Sequence, residues 1–458
     1  MAQTSRSADL TSGPMLQKII LFSIPLAASS ILQLLFNAAD VVVVGRFAGS
    51  TALAAVGSNG SLINLLVNLF VGLSLGANVV AARCFGAKDE RGVQNTVQTS
   101  VTLGLVSGVL LAVVGFFAAR GLLELMSCPE DVIDLSALYL KIYFIGMPMT
   151  MLYNFSSALL RAVGDTKRPL YCLAAAGIIN VVLNLVFVIG FSMSVAGVAL
   201  ATIISQTVSA CMVTRMLMKE EGALHLDLHH LGFHMGALKQ ILLIGLPAGL
   251  QSTVFSLSNV VIQSSINSFG SMVVAGNSAS SNLEGFVYTA MNAFAQAAVT
   301  FTSQNIGARK PRRVLSSMYV SLFWALSFGV VFGVLSCVFG TQLLGLYSPD
   351  PAVIQVGLNR MYIVCGPYFL CGIMDVMTGV LRGVGYSLLP MIVSLMGACV
   401  FRIFWVMTIF AANRTMDCLM ISYPVSWALT FLVLVVIFAV LWKKKIRPRY
   451  TPEELAAR

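Results

Sequence analysis

Charged residues are scarce in this chain, and acidic ones are scarcer than basic. They make up 10% of 458 residues, with 18 Asp and Glu against 28 Lys and Arg, while 58% of residues are hydrophobic and the mean hydropathy is +0.88. No soluble domain of this size could hide so much apolar surface, so the surrounding solvent is a bilayer. Paired cysteines are missing too. Cys84, Cys128, Cys172, Cys211, Cys337, Cys365, Cys371, Cys399 and Cys418 stand singly, mostly within apolar runs and never as CxxC. That pattern supports neither a disulfide framework nor a zinc ribbon. No Walker loop, GxSxG or HExxH occurs, so ATP-driven transport and hydrolysis lack a site. A membrane enzyme or receptor would need a nucleophile, a metal cluster or a sizeable exposed domain. The expectation is therefore no enzyme and no cofactor. A cleavable leader is not expected either, because Met1–Gly13 is polar and the apolar run after it is too long for one.

What the chain does contain is about twelve apolar runs of roughly 20–30 residues, each sufficient for a helix across a core about 30 Å thick. With the N-terminus inside, polar gaps alternate between cytoplasm and exterior. All but six of the 28 basic residues then fall in internal segments, from Arg6 to Arg458; the exceptions are Arg46, Arg120, Lys141, Arg360, Arg402 and Arg414. This bias predicts the orientation, an even number of spans and two cytoplasmic termini. It also explains the net charge of +10 without nucleic acid.

The runs repeat. Phe85-Gly-Ala-Lys88 recurs as Ile306-Gly-Ala-Arg309, and Leu160-Arg-Ala-Val-Gly164 with Pro169 recurs as Leu381-Arg-Gly-Val-Gly385 with Pro390. Ser205 matches Ser426 and Gly49 matches Gly270, each pair 221 residues apart, while Pro25 and Pro247 are 222 apart. One offset at several separated places marks an internal repeat. Two halves of six spans enter the membrane with the same polarity and are related by an axis along its normal. The expected fold is an all-α polytopic membrane protein of twelve transmembrane helices in two pseudo-symmetric six-helix lobes. Its parts are a cytoplasmic tail (1–14), an N-lobe (15–218), a surface linker (219–239), a C-lobe (240–442) and a basic tail (443–458). Lys443-Lys-Lys-Ile-Arg447 in that tail suits lipid headgroups.

This repeat of six, its Gly-Ala-Lys/Arg turns, Leu-Arg-Ala-Val-Gly-Asp-Thr-Lys-Arg-Pro at 160–169 and Ser-Gln-Asn-Ile-Gly-Ala at 303–308 resemble the multidrug and toxic compound extrusion (MATE) transporters. That family lies in the multidrug/oligosaccharidyl-lipid/polysaccharide flippase superfamily, and the resemblance runs from about Leu16 to Trp442. It implies a secondary active multidrug efflux transporter that exports lipophilic, mostly cationic compounds in exchange for H⁺ or Na⁺. Its partners would be those cations and membrane lipids, with no nucleic acid, and it would act as a monomer. The alternatives are a lipid-linked oligosaccharide flippase or an ion-coupled solute carrier. A flippase would need a strongly cationic cavity, and the spans offer it only Arg402.

Three acidic residues lie well inside apolar runs: Asp40, Glu284 and Asp375. A carboxylate there costs on the order of 3 kcal/mol, so such residues default to function. Asp40 lies toward the outer end of the first span. Asn180 and Asn184, at i and i+4, share a face of the fifth, and Thr202 lies at similar depth in the sixth. Their oxygens suit a hard monovalent cation, and burial of a carboxyl also favours its protonated form. The other reading is a staple of helices through these amides. In the resembled family the matching positions are an Asp, an Asn, an Asp and a Thr that hold the coupling cation. Here Asp40, Asn180 and Thr202 match, and Asn184 replaces the second acid. If sodium couples, these four residues are the metal ligands.

Further candidates face the substrate path. Glu284, Tyr288 and Asn292 follow at i, i+4 and i+8 with Met291 alongside, a set suited to a lipophilic cation. Gln251, Asn259 and Gln263 make the seventh span too polar to face lipid. Asn37 and Asn154 join them, and Asp375 is the repeat partner of Asn154. Arg402 reads as the only basic residue deep in a span, with Asp375 or Glu284 as its mate. No acid follows Pro247, so a second sodium site like that of NorM-type members is not expected in the C-lobe. His225, His229, His230 and His234 read as a solvated surface rather than a metal site. Pro25 and Pro247 each remove a helical hydrogen bond and give their helices a place to bend.

Overall fold

The computed structural model describes residues 9–126 and 128–456. Arg6 and Arg458 of the charge count, and most of the N-terminal tail, lie outside the described residues. Among the described residues, nine helices are long and apolar enough to cross a membrane, and two bent pairs raise the number to 11. Together with the long helix 271–307 they make twelve helical rods among the described residues.

In chain order they are α1 (Met15–Phe47), α2 (Ser50–Gly86), α3 (Glu90–Leu125), the pair α4 (Glu130–Ile145) and α5 (Met147–Ala162), α6 (Lys167–Leu185) and α7 (Ser194–Met218). The second series is α8 (Met235–Asn267), α9 (Ser271–Gly307), α10 (Pro311–Val338), then the short α11 (Gly340–Gly345). It continues with the pair α12 (Pro351–Arg360) and α13 (Phe369–Val384), the broken rod α14 (Leu388–Ser394) to α15 (Phe401–Trp405), and α16 (Met416–Leu441). A short α17 (Pro452–Ala456) ends the described chain. No strand occurs among the described residues.

Local chemistry sets the ends. Asp89 caps α3 by accepting from Gly92 N at 2.9 Å, and Asp350 caps α12 by accepting from Ala352 N at 2.9 Å. Pro311 and Pro351 begin helices, where their missing N–H is no loss. The repeat also reaches the backbone. Gly49 and Gly270 open the second helix of each half at φ 92° and 94°, and Lys88 and Arg309 end it at φ 56° and 54°. Arg309 donates to Arg449 O at 2.9 Å and pairs with the Glu454 carboxylate, which that contact holds at about 2.

α9 is the rod too polar to count with the others. From Ala293 to Asn305 all but Gln296 are buried in protein, so neighbouring helices replace lipid around Gln304 and Asn305.

Two compact units form, one of Ala28–Gly249 and one of Leu10–Ala27 with the chain from Leu250 onward. The sequence boundaries therefore shift at two helices. The start of α1 packs with the second repeat and the start of α8 with the first, and each crosses within three residues of its proline. Phe22 meets Phe301 edge to face at 5.5 Å, Leu10 N donates to Gln304 Oε1 at 3.3 Å, and Arg313 reaches Ser12 O at 2.9 Å. In the other unit, the start of α8 lies against α2 through glycines. A Cβ on Gly72 would stand 2.2 Å from Gly249 N, and one on Gly76 2.4 Å from Ile241 O. Such small-residue faces let membrane helices approach closely, since no hydrophobic force joins them there.

Gly72→Val should force these backbones apart and lower stability by about 1–3 kcal/mol. Gly60→Ala, with nothing within 4 Å of its new methyl, should stabilise by about 0.4–1 kcal/mol. Thermal unfolding in detergent measures both.

Candidate functional site

The four residues expected at the first-repeat site do meet. Asp40 is 7% exposed, Asn180 4% and Asn184 0%. Asn184 Nδ2 donates to Asp40 Oδ1 and, at 3.2 Å, to Asn180 Oδ1. Thr202 Oγ1 reaches Asp40 Oδ2 at 3.4 Å and receives Asn180 Nδ2 at 3.4 Å. The i, i+4 spacing on α6 stacks the two amides, so that Asn184 reaches Asp40 of α1 while Asn180 reaches Thr202 of α7, and Gly177 lets α1 come close. A Cβ there would lie 1.8 Å from the Phe36 ring. Directly after Asn184 the helix widens into a π-helical turn, Val186–Gly190, a feature frequent at functional sites.

The carboxylate thus meets neutral donors and no tethered cation in these bonds. Asn184 Oδ1 is buried and has no hydrogen-bond partner among the described residues. A carboxylate, two amide oxygens and a hydroxyl are hard donors of the kind a monovalent cation accepts. Tyr139 and Tyr143 of α4, stacked at 6.0 Å, lie within electrostatic reach of Asp40. Sequence reading missed both, although their i, i+4 spacing in an apolar run was a usable signal.

The second repeat corrects several expectations. Glu284 is held by Arg360, with Nε to Oε1 at 2.6 Å and Nη2 to Oε2 at 2.7 Å, both residues buried. Arg360 also donates to Asn277 Oδ1, Asn277 reaches Gln263 Oε1 at 3.5 Å, and Ser280 reaches Glu284 at 3.3 Å. The loop count leaves Arg360 either external or within a span, and a helix begun at Pro351 carries it about 13 Å along the helix axis. Glu284 is therefore a member of a fixed pair rather than a cation contact, and Arg402 is not the only buried base.

The proposed stripe of Glu284, Tyr288 and Asn292 divides. Each four-residue step turns about 40° around a helix, so positions eight apart diverge by about 80°. Tyr288 and Asn292 hydrogen-bond Asp375 instead, and Arg382 lies beside that carboxylate. Arg382 donates to Gln251 Oε1 at 2.8 Å, Asn292 to Tyr288 Oη at 3.4 Å and Gln296 to Asn292 Oδ1 at 3.0 Å. Met291 is buried in the core, its sulfur against Gly329 and Gly372, so it lines no site. Asn37 and Asn259 are exposed, and Asn154 donates to Thr150 O at 3.0 Å.

Arg402 pairs with neither expected acid. It donates to Ser426 Oγ at 2.9 Å and lies 4.2 Å from the Tyr423 ring centroid and 5.7 Å from that of Trp427. The linker histidines lie around two short 3₁₀ turns, so their spacing does not become a helix face. No group of three or more His, Cys, Asp or Glu that could hold a metal occurs among the described residues.

Breaking the buried pair should cost far more than removing it. Arg360→Met should destabilise by about 3–5 kcal/mol, with Glu284→Met/Arg360→Met recovering most of the loss. A double-mutant cycle of thermal unfolding decides it.

Two six-helix repeats, one of them holding a buried acid among oxygen donors, define a multi-pass helical membrane protein built by internal duplication. The MatE family description matches residues 25–186 and again 247–408, and the chain belongs to that family. It is 28% identical over 434 residues to the probable multidrug resistance protein YoeA of Bacillus subtilis (strain 168), covering 93% of this chain and 94% of the relative. It is 26% identical to the probable multidrug resistance protein NorM of Thermotoga maritima, covering 82% of each. Among solved structures, an outward-facing conformation of a multidrug resistance MATE family transporter of the MOP superfamily superposes with a TM-score of 0.89. At 22% identity, over 97% of this chain and 100% of that one, this likeness concerns the fold.

Proposed function

We propose that this protein is a secondary active multidrug efflux transporter that exchanges lipophilic, mostly cationic compounds for H⁺ or Na⁺ bound at Asp40. The observation that carries the reading is the Asp40 pocket. Among the described residues, a buried carboxylate meets only neutral side-chain donors there, beside an amide oxygen with no hydrogen-bond partner. Loading a proton or Na⁺ cancels the Asp40 charge and relaxes the hold of Asn184 Nδ2 on it. The Asn184 amide is then free to turn its oxygen inward, which alters how α1 lies on α6 and α7. One charge moving through 100 mV supplies about 2.3 kcal/mol, enough for roughly a 50-fold concentration ratio.

Export requires orientation, and the basic internal segments put both termini in the cytoplasm. Asp375, with Tyr288 and Asn292, offers a carboxylate and an aromatic ring of the kind that binds organic cations. The curated relatives named for multidrug resistance support that class of cargo. The protein acts as a monomer embedded in lipid. A flippase for a pyrophosphate-linked cargo fits less well, because Glu284 neutralises Arg360 and Asp375 lies beside Arg382.

The test uses purified protein in liposomes with an imposed pH or Na⁺ gradient and ethidium as cargo. Wild type should move ethidium under one gradient, and Asp40→Asn should lose that movement at least about tenfold, as for a group that carries the coupling charge. Gradient-driven efflux by Asp40→Asn at normal levels rules the mechanism out.

Asn184→Asp adds a second carboxylate beside the first. It should lower the Na⁺ concentration that supports half-maximal transport at least about tenfold. The Na⁺ dependence of initial rates measures this.

A further inference from the structure

We propose that Arg402 is a tethered cation. In the second repeat it holds the place that the Asp40 pocket of the first keeps for a mobile ion, so this pair of equivalent sites loads one coupling ion rather than two. The inference rests on the reading of Asp40 as the ion site.

The repeat offset of 221 carries Asn180 onto Phe401, Asn184 onto Trp405, Thr202 onto Tyr423 and Ser205 onto Ser426. Asp40 falls in the apolar stretch Val260-Val-Ile262. The second repeat therefore has neither the acid nor the amides. It has a π-helical turn, Leu395–Val400, just before α15, where α6 stays α-helical to Leu185. Such a turn inserts about one residue. Arg402 rather than Phe401 then takes the facing that Asn180 has in the first repeat.

The contacts agree with this register. Asn180 Nδ2 donates to Thr202 Oγ1 at 3.4 Å. Arg402 lies over Tyr423, the counterpart of Thr202, at 4.2 Å, and Nε donates to Ser426, the counterpart of Ser205. A site of oxygen donors around a negative charge has become one of aromatic faces around a positive charge.

The charges can be followed further. Arg360 also approaches the Tyr423 ring, at 5.7 Å, but Glu284 cancels it through two bonds. Tyr423, Tyr368, Cys371 and Cys399 lie around Arg402, with Ser426 and Trp427 in contact, and among the described residues no carboxylate forms a salt bridge with it. Arg402 is 6% exposed. Its charge is covalently attached, so it cannot leave. The first repeat alternates between an empty negative pocket and a neutral loaded one, whereas its counterpart is loaded permanently. Rings around a desolvated cation are strong enough to retain it.

The experiment replaces the tether with a diffusible cation. In the liposome assay Arg402→Ala should lose gradient-driven ethidium transport about tenfold or more, the scale of a desolvated cation–π contact. Millimolar guanidinium should restore transport, and urea, which has the same planar shape without charge, should not. Arg402→Lys should keep most of the activity. Equal rescue by urea, or normal transport by a folded Arg402→Ala, overturns the proposal. So does wild-type transport that requires chloride and loses that requirement in Arg402→Ala, since Arg402 would then hold an anion.

Should Arg402→Ala not fold, Arg402→Gln keeps a donor for Ser426 without the charge. A folded but inactive Gln variant supports the tethered cation, and an active one excludes it. Asp40→Asn is measured in parallel. Transport that survives in Asp40→Asn removes the coupling reading itself, whereas a dead Asp40→Asn beside an active Arg402→Gln removes only this one.

Discussion

A charge inside the membrane has no water to answer it, and the side-chain chemistry of this protein follows from how each buried charge is answered instead. Glu284 is answered by a guanidinium in a two-bond pair, Asp375 by a phenol and an amide with Arg382 nearby, and Arg402 by two aromatic rings and a hydroxyl. Asp40 is answered by neutral donors. These solutions differ in what solution ions can change. A cation arriving at Glu284 would have to displace one that is covalently attached. A cation or proton arriving at Asp40 displaces only hydrogen bonds, each of modest net worth.

Duplication supplied two copies of one scaffold, and the buried charges show how far they have diverged. The backbone preserves the offset at its strained points, where Gly49 and Gly270, Lys88 and Arg309, and Gly164 and Gly385 share the positive-φ region. The side chains between those points do not preserve it. A set of oxygen donors around a carboxylate in one copy corresponds to aromatic rings around a guanidinium in the other. The frame is symmetric and its buried side-chain chemistry is not.

The frame also ties the two copies together through their first helices. The start of α1 belongs by its contacts to the second unit, and the start of α8 to the first. Asp40 thus sits on a helix whose other end is anchored by Leu10, Ser12 and Phe22 to the opposite repeat. A change of charge at Asp40 acts on a rod held at both ends by different units. Pro25 lies where the helix passes between them.

The sequence by itself determined the class of solvent, the helical repeat with its 221-residue offset, and the Asp40, Asn180, Asn184 and Thr202 set. Each of these rests on local periodicity or on depth counted along a span, which survive without knowledge of neighbours. Only the tertiary structure decided the partner of Glu284, the rings around Arg402 and the association of Asp375 with Tyr288 and Asn292. Those depend on which faces of distant helices meet. A 40° drift per four residues, one π-helical turn, or a helix begun at Pro351 is enough to change the answer. The same reason hid the crossing of α1 and α8. Hydropathy reports that a helix is buried in an apolar medium, but which unit its two halves pack against is settled by contacts among residues more than two hundred positions apart.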